Sequence, residues 1–161
     1  MTYAISVRRV EPRAIASVHA RMAVRDVPAQ FRSSLDQVYA AAKRHAIALD
    51  GQNVFVYRAG PTPLADIEFG VGVREPFAPV GRVVQSSVPG GEVATTTHWG
   101  DYAALGAAHD AVVTWCRENG RALAGVSWEV YGHWNDVPAK RRTDVFHLLR
   151  PAMQSVGQTL P

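Results

Sequence analysis

Apolar and polar residues alternate along Val126-Ser-Trp-Glu-Val-Tyr131, and the β-branched and aromatic content of this run predicts a strand. Side chains of a strand point to opposite faces in turn, so Glu129 and Tyr131 share one face while Trp128 and Val130 share the other. The same patterning predicts strands at 5–10 and 14–24, on either side of Glu11-Pro12. Pro28 then opens a helix with Phe31, Leu35, Val38, Ala42 and Ala46 on its apolar side, ending near Asp50-Gly51. Strands follow at 53–57, closed by Ala59-Gly-Pro-Thr-Pro63, and at 66–73. Beyond them come a strand at 83–88, a Pro89-Gly90-Gly91 turn, and a strand at 92–97. A second helix starts near Asp101, with Leu105, Ala108, Val112 and either Trp115 or Cys116 on one side and Gly120 placed to cap it. A polar turn containing Asn135-Asp-Val-Pro138 separates strand 126–131 from the last strand, 143–149.

The order strand, strand, helix, strand, strand therefore occurs twice. Val54-Phe-Val-Tyr57 matches Trp128-Glu-Val-Tyr131, and Asp66-Ile67 matches Asp144-Val145, which marks an internal duplication. Two such units can pair their sheets about a pseudo-two-fold axis and leave a cleft between them. In this alignment Glu129 corresponds to Phe55, so the carboxylate belongs to one half only.

Composition narrows the function classes. A chain of 161 residues with 47% apolar content can build a core. No segment approaches the roughly 20 consecutive apolar residues of a membrane span, and the first residues lack the order of a secretory signal, so a cytoplasmic location and no membrane partner are expected. The single Cys116 has no disulfide or metal partner in the pattern and reads as a small core residue. The net charge of +3 comes from scattered Lys and Arg, with one local run at 140–142 that reads as a solvated turn. No basic face interleaved with aromatics is visible, which argues against nucleic-acid binding. The six His residues form no HExxH or HxH arrangement, so no metal and no cofactor is expected. All of them read as surface or core residues except His98, which is placed to bond locally at the start of the second helix.

His98-Trp-Gly-Asp-Tyr102 precedes the second helix, Glu118-Asn-Gly-Arg-Ala122 ends it, and Trp128-Glu-Val-Tyr131, Asn135-Asp-Val-Pro138 and Arg142-Thr-Asp-Val145 follow. In this order and spacing they resemble the GyrI-like small-molecule-binding family, whose domain is the effector-binding half of many AraC-type and MerR-type multidrug regulators. Gly51-Gln-Asn-Val-Phe-Val-Tyr57 and Asp66-Ile-Glu-Phe-Gly-Val-Gly-Val73 resemble it too, so the likeness reaches to about Leu149. It implies an α+β fold of duplicated strand-helix-strand-strand units with pseudo-two-fold symmetry. An antiparallel sheet and two long helices would surround a central ligand cleft. Residues 1–150 would form a single domain of two repeats, about 1–79 and 80–150, with 151–161 as a flexible tail. Family members bind bulky, often cationic aromatic compounds at a central acidic residue, which Glu129 matches, and a subset hydrolyses strained cyclopropane-bearing natural products. The chain departs from the regulator pattern in having no helix-turn-helix segment, so it is expected in stand-alone form, without direct DNA binding.

A carboxylate in apolar surroundings needs a partner, and a ligand cation can be that partner. Tyr131, Tyr57, Phe55, Trp99, Tyr102, Phe69 and Phe146 are the candidate walls, although Phe55, Phe69 and Phe146 suit core packing better than ligand contact. Trp99, at a strand-to-helix junction, is placed to rim a cleft. Glu68 is the rival carboxylate; its neighbours Ile67 and Phe69 fall on the opposite face, which predicts exposure, with lining of the cleft from the other unit as the alternative. Two functions are compatible with this pattern. One is a binding module for hydrophobic or cationic small molecules. The other is a hydrolase in which Glu129 is the general base and Tyr131 orients the water or leaving oxygen. No protein partner is named by the pattern, and the basic balance argues against a gyrase-directed, DNA-mimicking surface.

Overall fold

The computed structural model describes residues 2–59 and 62–151. The expected tail falls almost wholly outside them, as do Gly60 and Pro61 of the turn after the third strand. Eight strands and two long helices follow one another as β1 (Ser6–Val10), β2 (Arg13–Met22), α1 (Val27–His45), β3 (Leu49–Ala59), β4 (Ala65–Val73), β5 (Val83–Val88), β6 (Gly91–Trp99), α2 (Leu105–Glu118), β7 (Leu123–Tyr131) and β8 (Arg142–Leu149). The strands join one antiparallel sheet in the order β1-β6-β8-β7-β3-β4-β2-β5.

The two halves exchange their outer strands. β1 pairs with β6 of the second half, and β5 pairs with β2 of the first. Val10 opposes Gly91 and Arg13 opposes Val88, so the connections 11–12 and 89–90 cross where one long strand pair splits into two arms. The segment after β5 is therefore not the hairpin turn its Pro-Gly-Gly composition suggests. Gly90 is needed for close approach, since a Cβ there would lie 2.5 Å from Pro12 Cδ and 2.8 Å from its nitrogen.

The halves meet at β3 and β7, where Val54 opposes Val130, Phe55 opposes Glu129 and Val56 opposes Trp128. The pseudo-two-fold axis thus passes through the Phe55/Glu129 pair. Val56 pairs onward with Glu68 and its mate Val130 with Asp144, so the structural mate of Asp144 is Glu68 rather than Asp66. The repeat of Asp before an apolar residue misleads by two positions because side-chain parity, not the Asp itself, fixes the register.

Both helices lie on one face of the sheet. α1 covers it through Val27, Leu35, Val38 and Ala41 against Ala16, Val18, Phe69 and Val71, and α2 through Leu105, Ala108, Val112 and Cys116 against Ala94 and Val145. Tyr131 packs against both groups. Pro28 sits in the first turn of α1, and Lys43, Arg44 and His45 in the last complement the helix dipole. That helix ends at His45, short of Asp50, because Ala46 turns to φ 52 and the amides of Ala46 and Ile47 both return to Ala42 O. The other face carries Ile15, Val54, Val56, Val93, Trp128 and Phe146. No described helix is long and apolar enough to cross a membrane.

Candidate functional site

Glu129 sits at mid-strand in β7, on the helix-bearing face, with 3% of its surface exposed. Tyr131, two residues on and on the same face, donates its hydroxyl to Glu129 Oε2 at 3.1 Å. From α2, His109 Nε2 lies 3.7 Å from the same oxygen, and its Nδ1 lies 2.9 Å from Nε2 of His147 on β8. Among the described residues, His109 is the one basic side chain within 4.0 Å of this carboxylate. Every other carboxylate in an ion pair faces an arginine: Asp50 has Arg13, Asp66 Arg21, Glu68 Arg58, Glu92 Arg121 and Asp144 Arg142.

Burial, then the negative charge of Glu129 and hydrogen bonding to it, hold the Tyr57 and Tyr131 hydroxyls well above the ordinary phenol range. Both phenols therefore remain protonated donors. Burial, followed by the charge of His109, pushes His147 down to about 4, so its ring is neutral near pH 7. The result is a negative group surrounded by phenols and imidazoles, in a setting where charge is poorly screened.

Aromatic rings fill the space between the helices. Phe55 packs at 4.8 Å from Tyr131 and edge-on at 5.0 Å from Phe69, with Phe31 of α1 at 6.0 Å. Tyr102, in the turn before α2, meets Tyr131 edge-on at 5.4 Å, and Tyr57 meets His109 at 6.3 Å. Of the candidate walls, Tyr57, Tyr131, Phe55, Phe69 and Tyr102 are thus gathered around Glu129, with Phe69 fully buried as packing.

Phe146 and Trp99 are not. Phe146 pairs with Trp128, and both project from the opposite face, where their rings stack at 5.5 Å with 10° between planes. Trp99 pairs with Arg142 at the end of β6, on that same opposite face, and lines a groove of about 480 Å³ with Tyr3, Arg8, Thr97 and Asp144. Strand parity decides both cases. Glu68 is not exposed as expected: on the opposite face it is held by Arg58 and the Ser86 hydroxyl. His98 bonds at the helix start, to Asp101 O at 2.9 Å, and also meets the hydroxyl of the sequence-distant Tyr3 at 2.8 Å.

Sequence reasoning missed His109 and His147, having assigned both to bland surface or core roles. Signals existed: His109 follows Leu105 and Ala108 on the apolar side of α2, and His147 lies between Val145 and Leu149 on the inward face of β8. Among the described residues, no group of three or more His, Cys, Asp or Glu is placed to hold a metal.

No protein-family model and no curated protein sequence matches the chain. Solved structures do. The EcmrR C-terminal domain is similar at 18% identity over 93% of this chain and 99% of that one, with a TM-score of 0.73. In the EcmrR–DNA complex the likeness spans 57% of the EcmrR chain and 92% of this one, at 17% identity and a TM-score of 0.79. SAV2435 bound to tetraphenylphosphonium is similar at 8% identity over 94% of this chain and 95% of that one, with a TM-score of 0.68. A hydrolase from Listeria innocua gives 11% identity, 91% of each chain and a TM-score of 0.60. At these identities it is the fold that is shown: the chain shares the architecture of the EcmrR C-terminal domain and of SAV2435.

Proposed function

We propose that this protein binds bulky, aromatic organic cations, with Glu129 as the counter-charge. The observation that carries the proposal is a carboxylate 3% exposed, bonded by the Tyr131 phenol and flanked at 3.7 Å by the His109 imidazole, with no arginine or lysine within 4.0 Å among the described residues. Burying such a group is costly unless a positive partner offsets it. A ligand cation supplies that partner, and faces such as those of Tyr131, Tyr57, Tyr102 and Phe55 each add about 0.5–2 kcal/mol by cation–π contact. Entry requires those rings to move apart, because Phe55 and Glu129 are covered. The likeness to SAV2435 bound to tetraphenylphosphonium supports this choice of ligand class.

The His109–His147 pair beside Glu129 favours a second reading, hydrolysis of a strained ring. Glu129 takes a proton from water as the new C–O bond forms and a ring C–C bond opens. The electron pair of that bond passes to the departing carbon, which then receives the proton from Glu129; the net change is the addition of one water, and Tyr131 orients the oxygen. A neutral His147 behind His109 offers a path for the proton. The likeness to the Listeria hydrolase supports this alternative.

Thermal-shift titration with tetraphenylphosphonium and with cyclopropane-bearing natural products, wild type beside Glu129→Gln, separates the two, with mass spectrometry on each compound. Stabilisation by the cation that is lost in Glu129→Gln, with masses unchanged, supports binding. A product heavier by one water, formed by wild type alone, supports hydrolysis. A response indifferent to Glu129 removes both.

A further inference from the structure

The loop between β7 and β8 holds an arginine over two aromatic rings. The Arg141 guanidinium lies 3.9 Å from the centre of the Trp134 ring and 5.7 Å from that of Tyr102. Its Nε donates to Asn135 O at 2.9 Å, and among the described residues no carboxylate lies within 4.0 Å of it. Aromatic faces, rather than an anion, are what hold this charge.

The rings are fixed in turn. The Trp134 indole N–H donates to Asp136 Oδ1 at 3.1 Å, and Asn135 Oδ1 accepts from the Val137 amide at 2.9 Å. Gly132 N bonds Arg142 O at 2.9 Å and closes the loop at its base. Trp134 is 63% exposed, so the ring is open to solvent around the stacked guanidinium. Tyr102 joins it to the interior: its ring is 6.1 Å from Trp134 and 5.4 Å from Tyr131, whose hydroxyl reaches Glu129.

We infer that Trp134 and Tyr102 form an outer cation subsite, on the route to Glu129, which Arg141 fills as a built-in competitor that an incoming organic cation displaces. The inference rests on the cation-binding reading of Glu129 and adds its entrance and a specificity element. The guanidinium is a planar, weakly hydrated cation, so it reports what the two faces accept: a delocalised organic cation. A compact, strongly hydrated cation gains less there. A ligand that enters must exceed the hold on Arg141, which tunes affinity downward and sharpens selection for large aromatic cations.

Tetraphenylphosphonium titrated calorimetrically into wild type, Arg141→Gln, Arg141→Lys, Trp134→Leu and Glu129→Gln tests this, with circular dichroism to verify that each variant is folded. Arg141→Gln should bind about three- to thirtyfold more tightly than wild type, Arg141→Lys should stay closer to wild type, and Trp134→Leu should bind about three- to thirtyfold more weakly. Indole emission should change on titration in wild type, and that change should shrink in Trp134→Leu. Unchanged or weaker binding by Arg141→Gln, with binding still dependent on Glu129, overturns the outer subsite alone. Affinity equal in wild type and Glu129→Gln, or no binding by any variant, overturns the Glu129 reading and this inference with it.

Discussion

Phe55 and Glu129 stand directly opposite each other across the β3/β7 pair, and they are also the two residues that the internal repeat makes equivalent. The symmetry axis therefore runs between an apolar ring and a carboxylate. A duplicated scaffold supplies two walls of like topology, and this difference on the axis gives one of them a charged group.

Glu129→Gln keeps the size of the side chain and an oxygen that can accept from Tyr131, while removing the charge. Stability in urea should stay within about 1 kcal/mol of wild type, whereas calorimetric affinity for tetraphenylphosphonium should fall tenfold or more. A large loss of stability with affinity retained would assign Glu129 to structure.

His147 titrates at about 4 in the folded protein against an ordinary value of 6.5. Between those values the unfolded chain holds a proton that the folded chain does not, so stability rises with pH across this window. The contribution is complete above pH 6.5 and is lost as the pH falls towards 4, amounting to at most ~3 kcal/mol. Urea denaturation at a series of pH values should show a flatter profile for His147→Gln than for wild type.

Phe69 is fully buried under α1 and meets Phe55 edge-on. Phe69→Ala should lower stability by about 3–5 kcal/mol, through lost apolar burial and the cavity left behind. The denaturation midpoint, read at unchanged m-value, measures it.

At the strand crossing, Gly90→Ala places a methyl group 2.5 Å from Pro12 Cδ. A loss of about 1–3 kcal/mol is expected from this overpacking. Pro12→Ala in the same chain should recover part of it, and the double-mutant cycle gives the coupling between the two positions.

Much of this was legible in local pattern. Alternation in β7 put Glu129 and Tyr131 on one face, and the spacing of Leu105, Ala108 and Val112 gave the inward side of α2. What was not legible depended on partners far along the chain. Phe146 and Trp99 looked like pocket walls because they are aromatic and near the motif residues, but the β7/β8 and β6/β8 registers, which no local pattern states, turn them to the other face. His109 and His147 were invisible as a pair for the same reason, since they meet only when α2 lies across β8. The end of α1 was overextended because Ala46 fits the helical period while adopting a left-handed backbone, which a non-glycine residue seldom does.

The exchange of β1 and β5 has a consequence for how the chain reaches this structure. Neither half carries its own outer strand, so a half assembled alone would leave one sheet edge bare and one strand without a neighbour. The ladder that joins β1–β2 to β5–β6 forms only when distant parts of the chain meet, a topology that slows folding. Once formed, it ties the halves so that opening either one strips a strand from the other. A molecule built from two copies of one motif is thereby made cooperative, and the carboxylate on its axis is held by both halves at once.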